Sequence, residues 1–422
     1  MKKELLFLLW TLQAFAVVAQ GDYRQVAARF RDFYNRQQSD SIFSMYSSNV
    51  QQMLPLDKTR QMVTQLHRQY GALQSADLIH QDTAYGAFKA AFDHAILKMT
   101  LALDKDGHIA GMNFVPYQQN PSAGSQTNGG SNISLKTEQG NIYGILEIPQ
   151  GNKKMPVILV IAGSGPTDRN GNSSMGVNSN VYKMLADSLL RHGIASLRYD
   201  KRGVGESKAA VKSESSVKFE DMINDAASFI KMLKADGRFS KVIVLGHSEG
   251  SFIGMIAAGR EGADAYVSVA GAGERIDKII ERQLAAESPK LASEATLILD
   301  SLSKGYTVRE FGKELAPLFP SSVQPYWISL LQYDPQEEIK KLTLPVLIIQ
   351  GTTDIQVSTQ DAQLLKKAKP EAVLKLVEGM NHVLKQAGAD RQENIATYNM
   401  PDLPLNAELV EDIVAFVYSD SK

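Results

Sequence analysis

Cysteine is absent from the sequence. Every disulfide is thereby excluded, as is a lipid-anchored lipoprotein, and the chain must be stable through its hydrophobic cores alone. An excess of charge is missing too: 45 Lys and Arg against 46 Asp and Glu leave a net charge of -1. That balance gives no electrostatic footprint for nucleic acid, which is set aside as a partner. Long apolar runs are lacking beyond the first twenty residues, where Lys2 and Lys3 precede the run Leu5–Val18 and small residues follow at Val17 and Ala19. A charged start, an apolar stretch and a small-residue site predict a signal peptide over 1–19, cut between Ala19 and Gln20. The run falls short of the roughly 20 residues needed to span a bilayer, so no stable membrane anchor is expected after cleavage. The expected location is exported, either periplasmic or secreted.

At 422 residues the chain exceeds one ordinary core, and its pattern divides into zones. Over 20–116, Val26, Phe30 and Phe33 with Ala27 and Tyr34 recur at helical spacing, and a second helix is predicted over Lys58–Tyr70, ending at Gly71. Strand-like runs follow, clearest at Ala95–Leu103 and Ile109–Val115, with Asp104-Lys-Asp-Gly107 as a hairpin turn between them. Helices followed by a meander predict a small α+β domain. Residues 117–132 are mostly Gln, Asn, Ser, Gly and Pro and predict a flexible linker. From 133 to 422, continuous apolar runs at Pro156–Ala162, Ile194–Tyr199, Lys241–Leu245, Ala265–Val269 and Pro345–Gln350 alternate with helical patterns. Such runs suit strands buried on both faces, and the alternation predicts a doubly wound, mostly parallel α/β sheet. Residues 273–341 interrupt it with helical pattern alone and are read as a helical cap.

Gly246-His247-Ser248-Glu249-Gly250 leaves a predicted strand and enters a predicted helix, Ser251–Arg260. A nucleophilic serine needs its hydroxyl lifted off the sheet at a sharp turn, where flanking glycines relieve crowding. Without that context the string is weak. A serine also needs a base held in one tautomer. Of seven histidines, four precede the linker, His192 caps a helix before Gly193, and His247 is pointed away from the serine's face by its position. His382, in the loop Gly379-Met-Asn-His-Val383, remains as the base. Asp354, in Gly351-Thr-Thr-Asp after an apolar strand, falls between serine and histidine and is the candidate acid, its bland alternative being an Asx turn. Oxyanion donors are expected from the amide of Glu249 and from the turn Gly163-Ser164-Gly165-Pro166, where Ser164 N–H is chosen and Gly163 is its rival. No G-K-[ST] follows that turn, so a phosphate loop is unsupported. The segment Asp168–Asn172 faintly resembles a calcium loop but has Ser173 and Ser179 where Gly and Glu belong; no metal and no cofactor are expected.

Together with Asp200-Lys-Arg-Gly-Val-Gly-Glu-Ser207, these motifs give residues 133–422 a resemblance to the α/β-hydrolase superfamily, in its bacterial esterase and serine-aminopeptidase-like branch. The resemblance implies Ser248, Asp354 and His382 as a triad and Ser164 and Glu249 as oxyanion amides. It implies a structural turn near the sheet's edge, without catalytic role, for 200–207. The histidine usual before the oxyanion turn is replaced by Ala162, and Glu249 puts a carboxylate beside the nucleophile that would disfavour anionic substrates. Less specifically, the first domain resembles small NTF2-like domains.

The expected activity is hydrolysis of a small-molecule carboxylic ester through an acyl-enzyme. Ligand pockets of such sheets lie outside the strands' carboxyl ends, so the cap is expected to set substrate choice, with at least one of Phe319, Tyr326 and Trp327 facing the substrate. The alternatives are a serine aminopeptidase using cap carboxylates such as Glu274 and Glu281, and an inactive binding module on the same fold.

Overall fold

Phe30 and Tyr34 are one helical turn apart and both wholly buried, and this pair anchors the first of two units. The structure is a computed structural model describing residues 23–81, 85–117, 130–151 and 153–419. The predicted signal segment and residues 118–129 of the predicted linker lie outside these. The chain divides into the units Met1–Ser125 and Gln126–Lys422.

In the first unit, helices Tyr23–Asn35, Ser39–Ser44, Ser48–Met53 and Leu56–Tyr70 precede a four-stranded antiparallel meander. Its strands are β1 (Leu73–Gln81), β2 (Gly86–Phe92), β3 (Ile96–Leu103) and β4 (Ile109–Pro116). Phe88, Phe92, Met99 and Leu101 from the sheet meet Phe30 and Tyr34 in one core. The β3–β4 turn forms where predicted, because Asp104 Oδ1 accepts the amides of Asp106 and His108, both at 2.9 Å.

The second unit begins with an antiparallel pair, β5 (Gly130–Thr137) and β6 (Gly140–Glu147), and continues with β7 (Met155–Ile161). A short hairpin, β8 (Asn172–Ser173) and β9 (Val177–Asn178), follows. Then come β10 (Ala195–Tyr199), β11 (Phe239–His247), β12 (Ala265–Val269), β13 (Val346–Gly351) and β14 (Val373–Val377). The eight-stranded sheet runs β14-β13-β12-β11-β7-β10-β6-β5, parallel from β14 to β10. Its strands read as continuous apolar runs because both faces are covered. Val157, Leu159 and Ile161 join helices Phe219–Ala235 and Glu249–Glu261 on one side. Ile158 and Val160 join helices Val181–Arg191 and Ala407–Tyr418 on the other.

Two boundaries move from their predicted places. Gly130–Asn132, assigned to the linker by composition, pair with β6 as the start of β5, since backbone bonds to Glu147, Leu146 and Ile145 need no apolar side chain. The Asp200–Ser207 segment is not at the sheet's edge, because β10 lies between β7 and β6. Between β12 and β13 the chain forms helices Ile276–Glu287, Pro289–Ser303, Gln324–Leu330 and Pro335–Lys340, with their own core around Ile298, Leu302, Phe319 and Leu331.

The chain turns from β11 into its helix with almost no room. A Cβ at Gly250 would lie 2.2 Å from the Ile161 carbonyl oxygen, and one at Gly246 2.1 Å from that of Gly250. Gly250→Ala should therefore destabilise this unit by about 3 kcal/mol or more. Gly237→Ala, where a Cβ meets open space, should change stability by less than about 1 kcal/mol. Denaturant unfolding of the two variants checks this; equal midpoints would contradict the close approach.

Candidate active site

β7 has β10 on one side and β11 on the other, so the strand order reverses at β7 and opens a crevice at the carboxyl ends. Ser248 stands there, between the last residue of β11 and the first of helix Glu249–Glu261. Its backbone lies at φ 56°, ψ −124°, which a non-glycine residue adopts only when its surroundings enforce it. Enforcement comes from the crowded glycines and from the Ser248 N–H bond to the Val269 carbonyl at 2.9 Å. Gly163, just beyond β7, lies directly beside it: a Cβ there would stand 3.1 Å from Ser248 Cβ.

Asp354 and His382 meet, with His382 Nδ1 2.9 Å from Asp354 Oδ2 and both side chains buried. A carboxylate only accepts, so Nδ1 carries the proton and Nε2 keeps its lone pair. Three further donors hold the carboxylate: Gln350 Nε2 at 3.1 Å and the amides of Gln356 and Val357 at 2.8 and 3.0 Å. Burial alone would raise the Asp354 pKa, but the neighbouring His382 and these hydrogen bonds outweigh it and hold the carboxyl below its ordinary value. The acid and base loops are sewn together at Gly351, where a Cβ would collide with the Met380 carbonyl oxygen at 1.9 Å. No hydrogen bond joins Ser248 to His382 among the described residues. Such bonds are often long in substrate-free hydrolases and tighten when the reacting group arrives.

Gly163 N–H is bonded to the Tyr182 hydroxyl at 3.0 Å, so that amide is engaged within the protein. Glu249 is the first residue of its helix, where an amide has no intrahelical acceptor. The Glu249 carboxylate, noted in the sequence as a charge beside Ser248, has two partners. Tyr326 OH donates to one oxygen at 2.9 Å, and the buried Lys201 ammonium lies 3.5 Å from the other.

The three cap aromatics separate. Phe319 is wholly buried in the cap's own core, 5.9 Å from the Trp327 ring, so it offers no surface to a substrate. Trp327 is half-buried between two cores with its indole N–H given to the Leu318 carbonyl. Of the three, Tyr326 reaches the residue beside Ser248.

Sequence reasoning passed over His247, Tyr182, Gln350 and Lys201. The His247 ring is a strut between two loops. His247 Nε2 lies 2.9 Å from the His382 carbonyl, which only accepts, so Nε2 carries the proton. Nδ1 then accepts from Tyr182 OH at 2.8 Å, and the Tyr182 oxygen accepts the Gly163 amide. One chain of bonds thus links the turn at Gly163 to the loop that carries His382. Tyr182 carried no sequence signal, being one of several polar groups in an amphipathic helix, and Gln350 none, being the lone polar side chain of an apolar strand.

Burial, then the nearby His382, push the His247 pKa from 6.5 down to about 3. Below pH 6.5 the unfolded chain takes up a proton that the folded site refuses, so stability falls with pH until about pH 3. Across pH 6 to 4 wild-type protein should lose about 1.4 kcal/mol more per pH unit than His247→Gln. Denaturant midpoints measured against pH check this, and parallel curves would contradict it.

Residues 173–386 match the family described as serine aminopeptidase, S33, a span that includes Ser248, Asp354 and His382. Residues 27–112 match a family described as a protein of unknown function (DUF3887). Esterase EstD of Thermotoga maritima is 27% identical over 386 residues, covering 87% of this chain and 89% of that protein. Among solved structures, Est1E from Butyrivibrio proteoclasticus is 16% identical, covers 68% of this chain and 99% of that one, and superposes with a TM-score of 0.44. The alpha/beta hydrolase GrgF from Penicillium sp. sh18 is 16% identical with a TM-score of 0.46, covering 68% and 97%. With the matched span taking in half the chain, this protein belongs to the serine aminopeptidase (S33) family of α/β-hydrolases.

Proposed function

We propose that the protein hydrolyses small carboxylic esters through a Ser248 acyl-enzyme. The observation that carries this reading is the Asp354–His382 bond at the same sheet edge as the strained Ser248 elbow. Ser248 Oγ attacks the ester carbonyl carbon as its proton passes to His382 Nε2. The carbonyl oxygen, now an anion, is held by the amides of Ser164 and Glu249. Collapse expels the alcohol, which leaves with the proton from His382. Water then attacks the acyl-enzyme, gives a proton to His382, and the freed serine recovers it as the acid departs. Asp354 keeps Nδ1–H in place throughout and stabilises the imidazolium.

The family's description names a peptidase, and an aminopeptidase would need free carboxylates for the substrate's ammonium. Of the cap carboxylates, the two considered for that role are occupied: Glu274 is paired with Arg282, and Glu281 with Lys278 at 2.9 Å. The ester reading is therefore preferred, in line with the name of the Thermotoga maritima relative. The basic and apolar residues 2–19 support the further proposal that the protein acts after export.

Purified protein should cleave p-nitrophenyl esters far faster than aminoacyl-nitroanilides. Ser248→Ala should keep its fold by circular dichroism and lose at least about a thousandfold in ester turnover. Turnover within tenfold of wild type would remove Ser248 from the mechanism.

A further inference from the structure

Three consecutive charged residues leave β10, and all are buried: Asp200, Lys201 and Arg202 are 3%, 5% and 7% exposed. Asp200 takes the Arg169 amide at 2.8 Å and its guanidinium at 2.6 Å. Arg202 pairs bidentately with Asp225 on helix Phe219–Ala235, at 2.8 and 2.6 Å. In both cases charge meets charge at contact, which suffices to explain a structural role. Lys201 is different. Its hydrogen bond goes to an uncharged group, the Gly163 carbonyl, and its counter-ion Glu249 stands off at 3.5 Å. Burial depresses its pKa, and the Glu249 carboxylate opposes that. Removing an ammonium from water carries a penalty of several kcal/mol, which a looser pair offsets poorly, so stability alone is a weak reason for this cation.

The carbonyl it holds explains more. Gly163 C=O and Ser164 N–H belong to one peptide unit, which is planar and trans, so they point in opposite directions. A cation fixed on the oxygen therefore fixes the direction of the N–H. It also draws electron density toward the oxygen and makes the N–H a stronger donor, as in any polarised hydrogen-bond chain. The preceding amide, Gly163 N–H, is separately tied to Tyr182, so the turn is held at both of its peptide units.

We propose that Lys201 is a positioning residue of the oxyanion hole, a cationic clamp that aims and polarises the Ser164 amide. The assignment rests on the reading of Ser164 as an oxyanion donor. Its counter-ion fits the same role, because Glu249 supplies the second donor amide and its carboxylate is bonded to Tyr326 of the cap. Cap, elbow and oxyanion turn are thus joined as Tyr326–Glu249–Lys201–Gly163.

The test uses the full chain with Lys201→Met, assayed on a p-nitrophenyl ester and with a trifluoromethyl ketone, which binds as a tetrahedral oxyanion. Losing the aim of one donor should lower kcat about a hundredfold and weaken the ketone in step, while KM stays within about threefold. The pH–rate ionisation should not move, because the His382–Asp354 pair is untouched. A purely structural lysine would instead lower the melting temperature and leave the kcat of the folded fraction and the ketone affinity unchanged. Lys201→Gln, a neutral donor, keeps the test open if the methionine variant fails to fold. Its kcat should fall at least about tenfold, and wild-type kcat in either folded variant overturns the clamp. If wild-type protein itself turns over no ester, the reading of Ser248 has failed and the clamp falls with it. An active wild type beside equally active variants rejects Lys201 alone.

Discussion

The close approach of β11's exit turn to the end of β7 is the constraint on which the site depends. With no side chain at 246 or 250, the helix Glu249–Glu261 presses onto the carbonyl oxygens of Ile161 and Ala162. That contact forces Ser248 to positive φ, sets Gly163 against its Cβ, and places the first helical amide beside the hydroxyl. Strain of about 1–3 kcal/mol in such a backbone persists only where packing on every side holds it. Here the apolar cores on both faces of the sheet supply that packing.

Around the elbow, most buried polar groups are met in complementary sets, with Gln350 Oε1 and Thr353 Oγ1 as buried exceptions. Asp354 is met by one imidazole and three donors. His247 stays neutral and has both nitrogens engaged. Asp200 and Arg202 have oppositely charged partners at hydrogen-bond distance. In a medium of low dielectric each of these pairings is worth more than it would be in water, and each unpaired group would be costly. The loops bearing Gly163, His382 and Asp354 therefore form one network, tied by His247 on one side and by the Gly351–Met380 approach on the other.

Much of this was legible in the sequence. Strand β12 begins and ends at the residues predicted, because a short continuous apolar run there leaves no second interpretation. Ser248, Asp354 and His382 could be proposed from the sequence because chemistry restricts each to a residue type, a chain order and a loop after a strand, and the structure brings two of them, Asp354 and His382, into contact. β1 was faint: it holds Gln74, Ser75, Asp77 and His80, its last residues are exposed, and it is placed by backbone pairing with β2. Phe319 was misassigned because an apolar aromatic in the cap sequence looks the same whether it enters a core or lines a pocket. The roles of Tyr182, Gln350 and Lys201 arise from partners 19, 4 and 38 residues away, and no local pattern records such pairings.

The central claim is that Ser248 is an activated nucleophile. Treating the protein with a fluorophosphonate and mapping the adduct by peptide mass spectrometry tests it most directly. The account predicts stoichiometric modification of Ser248, and strongly reduced modification in His382→Ala. An unlabelled wild-type protein, or an adduct on another serine, would contradict it.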